Sequence, residues 1–519
     1  MRTIDHPLSI KKMPTEIDGF DLIANGGLPE GRVTLLSGTS GSAKTVFAAQ
    51  FLAAGIQRAG HPGVFVTFEE SPEDIRKNMR GFGWEIAQWE ADAKWCFVDA
   101  SPQPGERVQI SGNFDLGALI ARIEHAIQKI GAKRVALDSL GGVFAQLDDD
   151  VTIRHELFRI TASLKRMGVT SIITAERVDE RGPVSRYGVE EFVSDNVIIL
   201  RNSLQDELRR RTIEILKFRG TTHQKGEWPL TIVPSEGIVV IPLSALELKQ
   251  KSSDARITSG NTQLDAMCGG GFFRDSVILL SGPTGTGKTL LTTEFLAAGA
   301  KHGERCLMFA YEESREQLFR NARGWGVDFQ KLEEAGLFRV VCEYPEAAAI
   351  EDHLIRIKKE TAEFNPHRVA VDSLSALERV TTSKSFREFV IGLTSFIKHR
   401  ELPGLYTSTT SSILGGTSIT ETHISTITDS IILLRYVEKL GQMRRGIAVL
   451  KMRGSYHDKD IREFAIDSEG LHIMGPFRSV FGILSGNFRH VTPSDLQEMQ
   501  HLLLDESKRR ADQRVRPTE

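Results

Sequence analysis

Two short runs of this sequence have the residue types that hold a phosphate. "GPTGTGKT", residues 282 to 289, supplies Gly282, Thr284, Gly285, Thr286, Gly287, Lys288 and Thr289, followed by Leu290. Small residues let successive backbone N–H groups turn inward on an anion. A lysine neutralises the outer oxygens, and a hydroxyl ligates Mg²⁺. "GTSGSAKT", residues 38 to 45, keeps Gly38, Gly41, Ser42, Lys44 and Thr45, followed by Val46, but has Ala43 where the pattern asks for glycine. Ala43 lies where the chain enters a helix, and alanine is tolerated there if φ is negative, unlike at a left-handed position. Both runs therefore read as working nucleotide sites, with ATP and Mg²⁺ as the implied cofactors.

Further chemistry follows each run. Asp138 and Asp372 end the apolar stretches "RVALD" and "RVAVD", where an acid that orients the Mg²⁺ hydration shell belongs. Glu69–Glu70 and Glu312–Glu313 close two other strands. One reading makes them polar strand ends ahead of the capping boxes "SPED" and "SREQ". Their recurrence beside two phosphate loops favours another, in which one glutamate of each pair takes the proton of a water or hydroxyl nucleophile. Lys217 with Arg219, and Lys451 with Arg453, lie two apart on or beside a strand. Alternate residues share a face, so each pair can meet a triphosphate together, that of a neighbouring subunit.

The elements that must position these groups come in duplicate. "VTLLSGTSGSAKTVFAAQFLAAG" (33–55) aligns with "VILLSGPTGTGKTLLTTEFLAAG" (277–299), "NVIILR" with "SIILLR", and "LKFRGTTH" with "LKMRGSYH". So long a period means two whole domains rather than solenoid units. The sequence reads as a first domain over 1–241, a polar linker at 242–254, a second domain over 255–490, and a helix with a charged tail over 491–519. In the first half the apolar runs "VTLLSG", "GVFVTF", "WCFVDA", "RVALD", "TSIITA", "NVIILR" and "TIEILKF" predict strands. Helices are expected between them, at 44–59 and 115–130. Such alternation predicts an α/β fold with a mainly parallel sheet covered on both faces.

Composition sets the outer bounds. The chain has 519 residues, a formal net charge of −3, 40% hydrophobic and 26% charged residues, which suits a globular protein of several domains. No long basic run precedes the last few residues, so DNA is not an expected partner. Cys96, Cys268, Cys306 and Cys342 lie far apart, without metal or redox spacing. No apolar run approaches the length of a membrane span, and a soluble, cytoplasmic protein is expected.

Beyond the phosphate loops, the tandem halves carry "EES", "DSL", "YGVEEFVSDNV", "CGGGFF", "ITETHISTITD" and "KMRGSYHDK". Over residues 14 to 490 the chain resembles the KaiC family, circadian ATPases and autokinases. The resemblance implies two tandem RecA-like P-loop ATPase domains in a double-ring homohexamer, with ATP between subunits of both rings. In the first ring Glu69 and Glu70 would handle the attacking water, with Lys217, Phe218, Arg219, Thr221 and His223 at the nucleotide. In the second, Trp325, Arg445, Lys451, Met452, Arg453, Ser455, His457 and Lys459 match nucleotide contacts. Glu312 matches the base and, with Thr45, Thr289, Asp138 and Asp372, the metal-facing groups. The family also implies a KaiB-like protein docking on the first ring and a histidine-kinase output partner. Ala43, Gly81, Val233 and Pro234 depart from residues that are polar or glycine in its best-known members.

The halves differ most at 407–430, "TSTTSSILGGTSITETHISTITDS", where fourteen of 24 residues are Ser or Thr. The aligned 173–196 has three Ser/Thr and nine charged residues, so an acceptor loop is confined to the second half. Composition alone makes this a hydroxyl-rich loop. By the resemblance, Ser425 and Thr426 match the phosphate acceptors and Thr420 a transient phosphate site. In KaiC the C-terminal tail captures KaiA; here "TPSDLQEMQHLLLDESKRRADQRVRPTE" opens like a capped helix and then turns charged, leaving a KaiA-like regulator open. Two alternatives stand beside this reading. A DNA-dependent ring ATPase would want basic loops, and 407–430 has no Lys or Arg. A signalling ring ATPase without a kinase step would lack only the acceptors.

Overall fold

A computed structural model describes residues 10–101, 116–144, 150–188, 190–205, 208–242, 252–410, 424, 426–439, 441–477, 480–481 and 489–490. The chain divides into two compact units, 1–247 and 248–519.

In the first unit the sheet strands are β1 (Val33–Gly38), β2 (Gly63–Thr67), β3 (Trp95–Asp99), β4 (Arg134–Asp138), β5 (Thr170–Glu176), β6 (Asn196–Gln205), β7 (Leu208–Phe218), β8 (Glu227–Val233) and β9 (Gly237–Val240). Their order is β9-β8-β7-β6-β1-β5-β4-β2-β3. β1 to β6 run parallel, and β7 to β9 extend the sheet antiparallel from β6. Val33 to Gly38 are buried without exception, as expected of a central strand covered on both faces. Helix α1 (Lys44–Ala59) follows β1 directly, and the helix Leu116–Ile130 also falls where the sequence places one.

The second unit repeats this plan. Its strands are β10 (Val277–Gly282), β11 (Cys306–Ala310), β12 (Phe338–Cys342), β13 (Arg368–Asp372), β14 (Gly404–Thr409), β15 (Ser430–Lys439), β16 (Gln442–Met452), β17 (Arg462–Asp467) and β18 (Gly470–Pro476). They are ordered β12-β11-β13-β14-β10-β15-β16-β17-β18, and helix α2 (Lys288–Lys301) follows β10. These are two tandem RecA-like P-loop domains.

Two repeated details show how closely sequence dictates this packing. A buried arginine, Arg134 on β4 and Arg368 on β13, lies across the central helix and donates to Phe51 O at 2.8 Å and Phe295 O at 2.9 Å. Gly55 and Gly299 make room for it: a Cβ on either would come within 2.5 Å of the guanidinium group. The last repeated "G" of "FLAAG" is thus a packing requirement. Each long hairpin also carries a bulge, between Val197 and Ile198 and between Ile431 and Ile432. The extra residue opposite shifts the alternation, so Phe218 rather than Lys217 follows Ile213 and Ile215 into the core. Met452 does the same in place of Lys451.

Candidate functional site

Each phosphate loop joins the C-terminal end of a central strand to the N-terminus of a helix, where free N–H groups and the helix dipole favour an anion. The lysine lies inside the loop. Lys288 Nζ donates to Gly282 O at 2.8 Å and Pro283 O at 3.0 Å; Lys44 Nζ donates to Gly38 O and Thr39 O, both at 3.0 Å. Burial lowers the pKa of both ammonium groups, opposed around Lys44 by Glu176, Asp138, Glu69 and Glu180 and around Lys288 by Asp372 and Glu312.

The structure corrects one expectation. Ala43 has φ +78° and ψ +28°, in the left-handed region, where Gly287 stands at φ +104° in the second unit. The turn that aims the loop amides inward needs a positive φ just before the lysine. Alanine pays about 1–2 kcal/mol to adopt it. Thr39 Oγ1 to Glu180 Oε1 at 2.5 Å and Glu180 Oε2 to Asn202 N at 3.1 Å brace the strained loop from outside, together with Arg211 Nε donating to Gly41 O at 3.0 Å. In the second unit the brace is Tyr436, whose hydroxyl donates to Thr284 O at 3.3 Å and whose ring faces Arg445.

The strand-end aspartates stand where the loop hydroxyl points. Thr289 Oγ1 donates to Asp372 Oδ2 at 2.8 Å, and Thr407 caps the other oxygen. Asp138 is held by Thr45 and Thr174. Burial raises the pKa of both aspartates, and the threonine hydrogen bonds and nearby lysine oppose it. A hydroxyl beside a carboxylate is a hard-oxygen set. It fits Mg²⁺, which takes one or two protein oxygens with waters and phosphate oxygens.

The glutamate pairs sit beside these aspartates, and their second members match: Asn78 Nδ2 and Asn321 Nδ2 each donate at 3.2 Å, to Glu70 and Glu313. The first members differ. Glu69 Oε1 accepts from Ser139 Oγ at 2.9 Å, whereas Glu312 Oε1 is paired with Arg379 Nη2 at 3.0 Å. Trp325 ends the helix Arg315–Gly324, which also carries Asn321, and packs on the core.

The basic pairs lie elsewhere. Lys217 pairs with Val197 at the start of β6, beside the start of β1, so the pair faces the opposite end of the strand from the phosphate loop. Lys217 stands level with Leu35 and Arg219 lies just beyond Thr34, so three to five residues of strand, roughly 10–17 Å, separate the pair from Gly38. Lys217 Nζ donates to Glu191 O at 2.8 Å and Arg219 Nη2 to Phe192 O at 3.3 Å. Lys451 Nζ donates to Thr428 O at 2.7 Å and Arg453 Nη2 to Thr426 O at 2.6 Å. An aspartate anchors each group: Asp195 to Lys165, Arg32 and Arg219, and Asp429 to Lys398, Arg453 and the Val277 amide. His223 stacks edge-on against buried Phe218, and Ser455 Oγ accepts from Arg256. Thr221, His457 and Lys459 lie on the same loops after β7 and β16. Arg445 is apart from these, on the phosphate-loop side. Thr426 is exposed, while Ser425, Thr420 and the 491–519 tail lie outside the described residues.

With this geometry in place, the comparisons decide the family. A family profile described as "ATPase: KaiC" matches residues 13–245 and 257–477. The chain belongs to the KaiC family. It is 66% identical over 493 residues to the circadian clock protein KaiC3 of Synechocystis sp., covering 95% of this chain and 97% of that one. It is 56% identical to the circadian clock oscillator protein KaiC of Thermostichus vulcanus, over 95% of each chain. For that of Acaryochloris marina the figure is 55%, over 96% of this chain and 95% of the other. A KaiC-family ATPase therefore carries both phosphate loops, one of them with alanine at its left-handed position. Ser139, Arg379, Asn78, Asn321, Asp195 and Asp429 went unnoticed in the sequence. All but Arg379 recur in both halves, and that recurrence was the available signal. Among the described residues no helix is long and apolar enough to cross a membrane.

Proposed function

We propose that this protein hydrolyses ATP in its first unit and transfers phosphate to its own hydroxyls in its second, in sites completed by a neighbouring copy. One observation carries the reading. In each unit the lysine–arginine pair lies toward the other end of the strands from the phosphate loop, and it is engaged by carbonyls of the 191–192 or 426–428 segment rather than by the loop. A ring of copies, with each pair facing the next subunit's loop, would bring them together, and a hexamer is the family's way to close it.

In the first unit Glu69, steadied by Ser139, takes the proton of water. In the second Glu312 takes the proton of Ser425 or Thr426, the hydroxyls that follow the loop present only there. Lys44 and Lys288 bind the outer phosphates, and Thr45 with Asp138 and Thr289 with Asp372 would hold Mg²⁺, which supplies charge neutralisation when bound. Kai-type partners, a KaiB-like protein on the first unit above all, would read the phosphorylation state. The deciding experiment is incubation of the pure chain with Mg-ATP followed by phosphopeptide mapping, for the native chain, Ser425→Ala/Thr426→Ala and Glu312→Gln. Phosphate at 425–426 that both variants lose is expected. Phosphate elsewhere, or undiminished in the double variant, would leave a ring ATPase without a kinase step.

A further inference from the structure

The two catalytic glutamates are held differently, and the difference coincides with the acceptor loop. Ser139, just after Asp138, donates to Glu69 at 2.9 Å. Ser373 occupies the same place after Asp372, yet its Oγ is fully buried and has no hydrogen-bond partner among the described residues. Glu312 is instead paired with Arg379, whose side chain is 62% exposed, at 3.0 Å. The first-half residue aligned with Arg379 is Ala145, which cannot form such a pair. A buried hydroxyl left unpaired is costly, so Ser373 offers Glu312 a second, inward seat like that of Glu69. An ion pair this exposed is weak enough for the two seats to exchange.

We propose that Arg379 is a positioning residue that sets the nucleophile used by the second site, and that Ser373 is the competing seat. This rests on Glu312 being the base for phosphoryl transfer. Seated on Arg379, the carboxylate faces the rim, where a hydroxyl carried on a protein segment must arrive. Seated on Ser373, it would be held as Glu69 is held by Ser139, in the arrangement where water is the nucleophile. In both cases the nucleophile's oxygen forms a bond to the γ-phosphorus. The bond from that phosphorus to the β–γ bridging oxygen breaks, ADP leaves, and the hydroxyl or water proton passes to Glu312. Only the acceptor differs, a serine or threonine giving phosphoprotein and water giving inorganic phosphate.

The test is a partition ratio, inorganic phosphate released per phosphate incorporated, in the full chain carrying Glu69→Gln/Glu70→Gln to quiet the first site. Arg379→Ala should raise the ratio about two- to fivefold, the bias an exposed ion pair can sustain. Arg379→Lys should hold it near the parent value. Adding Ser373→Ala to Arg379→Ala should bring it back down, because the inward seat is gone. A role in folding alone would lower both products together and leave the ratio unchanged, which would overturn the proposal. A ratio raised by Arg379→Ala but untouched by Ser373→Ala would overturn it too. Glu312→Gln separates the two levels: undiminished phosphate incorporation there would remove the base assignment itself, whatever the ratio does.

Discussion

Replacing Ala43 with glycine is a test whose sign alone is informative. Ala43 holds φ +78° immediately before Lys44, and no side chain caps the helix there. Releasing an alanine from the left-handed region gains about 1–2 kcal/mol. Glycine's greater freedom in the unfolded chain takes back about 0.4–1 kcal/mol. The net expectation is stabilisation of the first unit by about 0–1.5 kcal/mol, or up to roughly 3–6 °C for a unit of this size. Were Ala43 instead helical, with negative φ, the same change would cost about 0.5–1 kcal/mol. The assay is urea unfolding followed by tryptophan emission, which favours the first unit: Trp84, Trp89, Trp95 and Trp228 lie there, and only Trp325 lies in the second. Gly287→Ala is the mirror experiment. It imposes the same strain, and its Cβ would approach Ile466 Cδ1 to 2.8 Å, so it should destabilise. Clear destabilisation by Ala43→Gly would refute the left-handed assignment and restore the negative φ that the sequence suggested.

Two further outcomes follow from the packing. Gly55→Ala should cost about 1–3 kcal/mol in the same unfolding assay, because the new methyl meets Arg134, which is fixed by Pro14, Thr15 and Phe51 carbonyls. Burial pushes the thiols of Cys268 and Cys306 up to about 12, so at pH 8 only on the order of 10⁻⁴ of either is thiolate. Intact-mass measurement should show both unmodified by iodoacetamide in the folded chain and alkylated once urea unfolds it.

The strands and the central helices were legible because buried parallel strands write themselves as apolar runs. The phosphate loops were legible because their glycines are spaced by the chemistry. β8 was missed: Pro229 interrupts "EWPLTIV", and a strand beside the sheet edge tolerates it. The sign of φ at Ala43 was illegible because alanine advertises the opposite. Only the recurring glycine at 287 hinted at it. The partners of the glutamates were hidden by distance, since Ser139 lies 70 residues from Glu69 and Arg379 lies 67 from Glu312. The separation of the basic pairs from the phosphate loops was hidden too. Both motifs look adjacent to a nucleotide until the strand register places them at opposite ends.

That separation, with the anchoring of Arg453, gives the duplication its direction. On the proposed reading, the groups offered to a neighbour's nucleotide would hang from the segment that carries the acceptors. Arg453 holds the Thr426 carbonyl and the Asp429 carboxylate, and Lys451 holds the Thr428 carbonyl. A phosphate on Thr426 would add roughly −2 charges within reach of these two cations, which would then divide their pairing between it and the neighbour's triphosphate. The first unit keeps the same scaffold, with Lys217 on Glu191 O and Arg219 on Phe192 O, but offers Phe192 where Thr426 stands. It cannot be switched in this way. On the proposed reading, one architecture would yield a steady site and a self-modifying one, the difference lying in a few side chains around a shared frame.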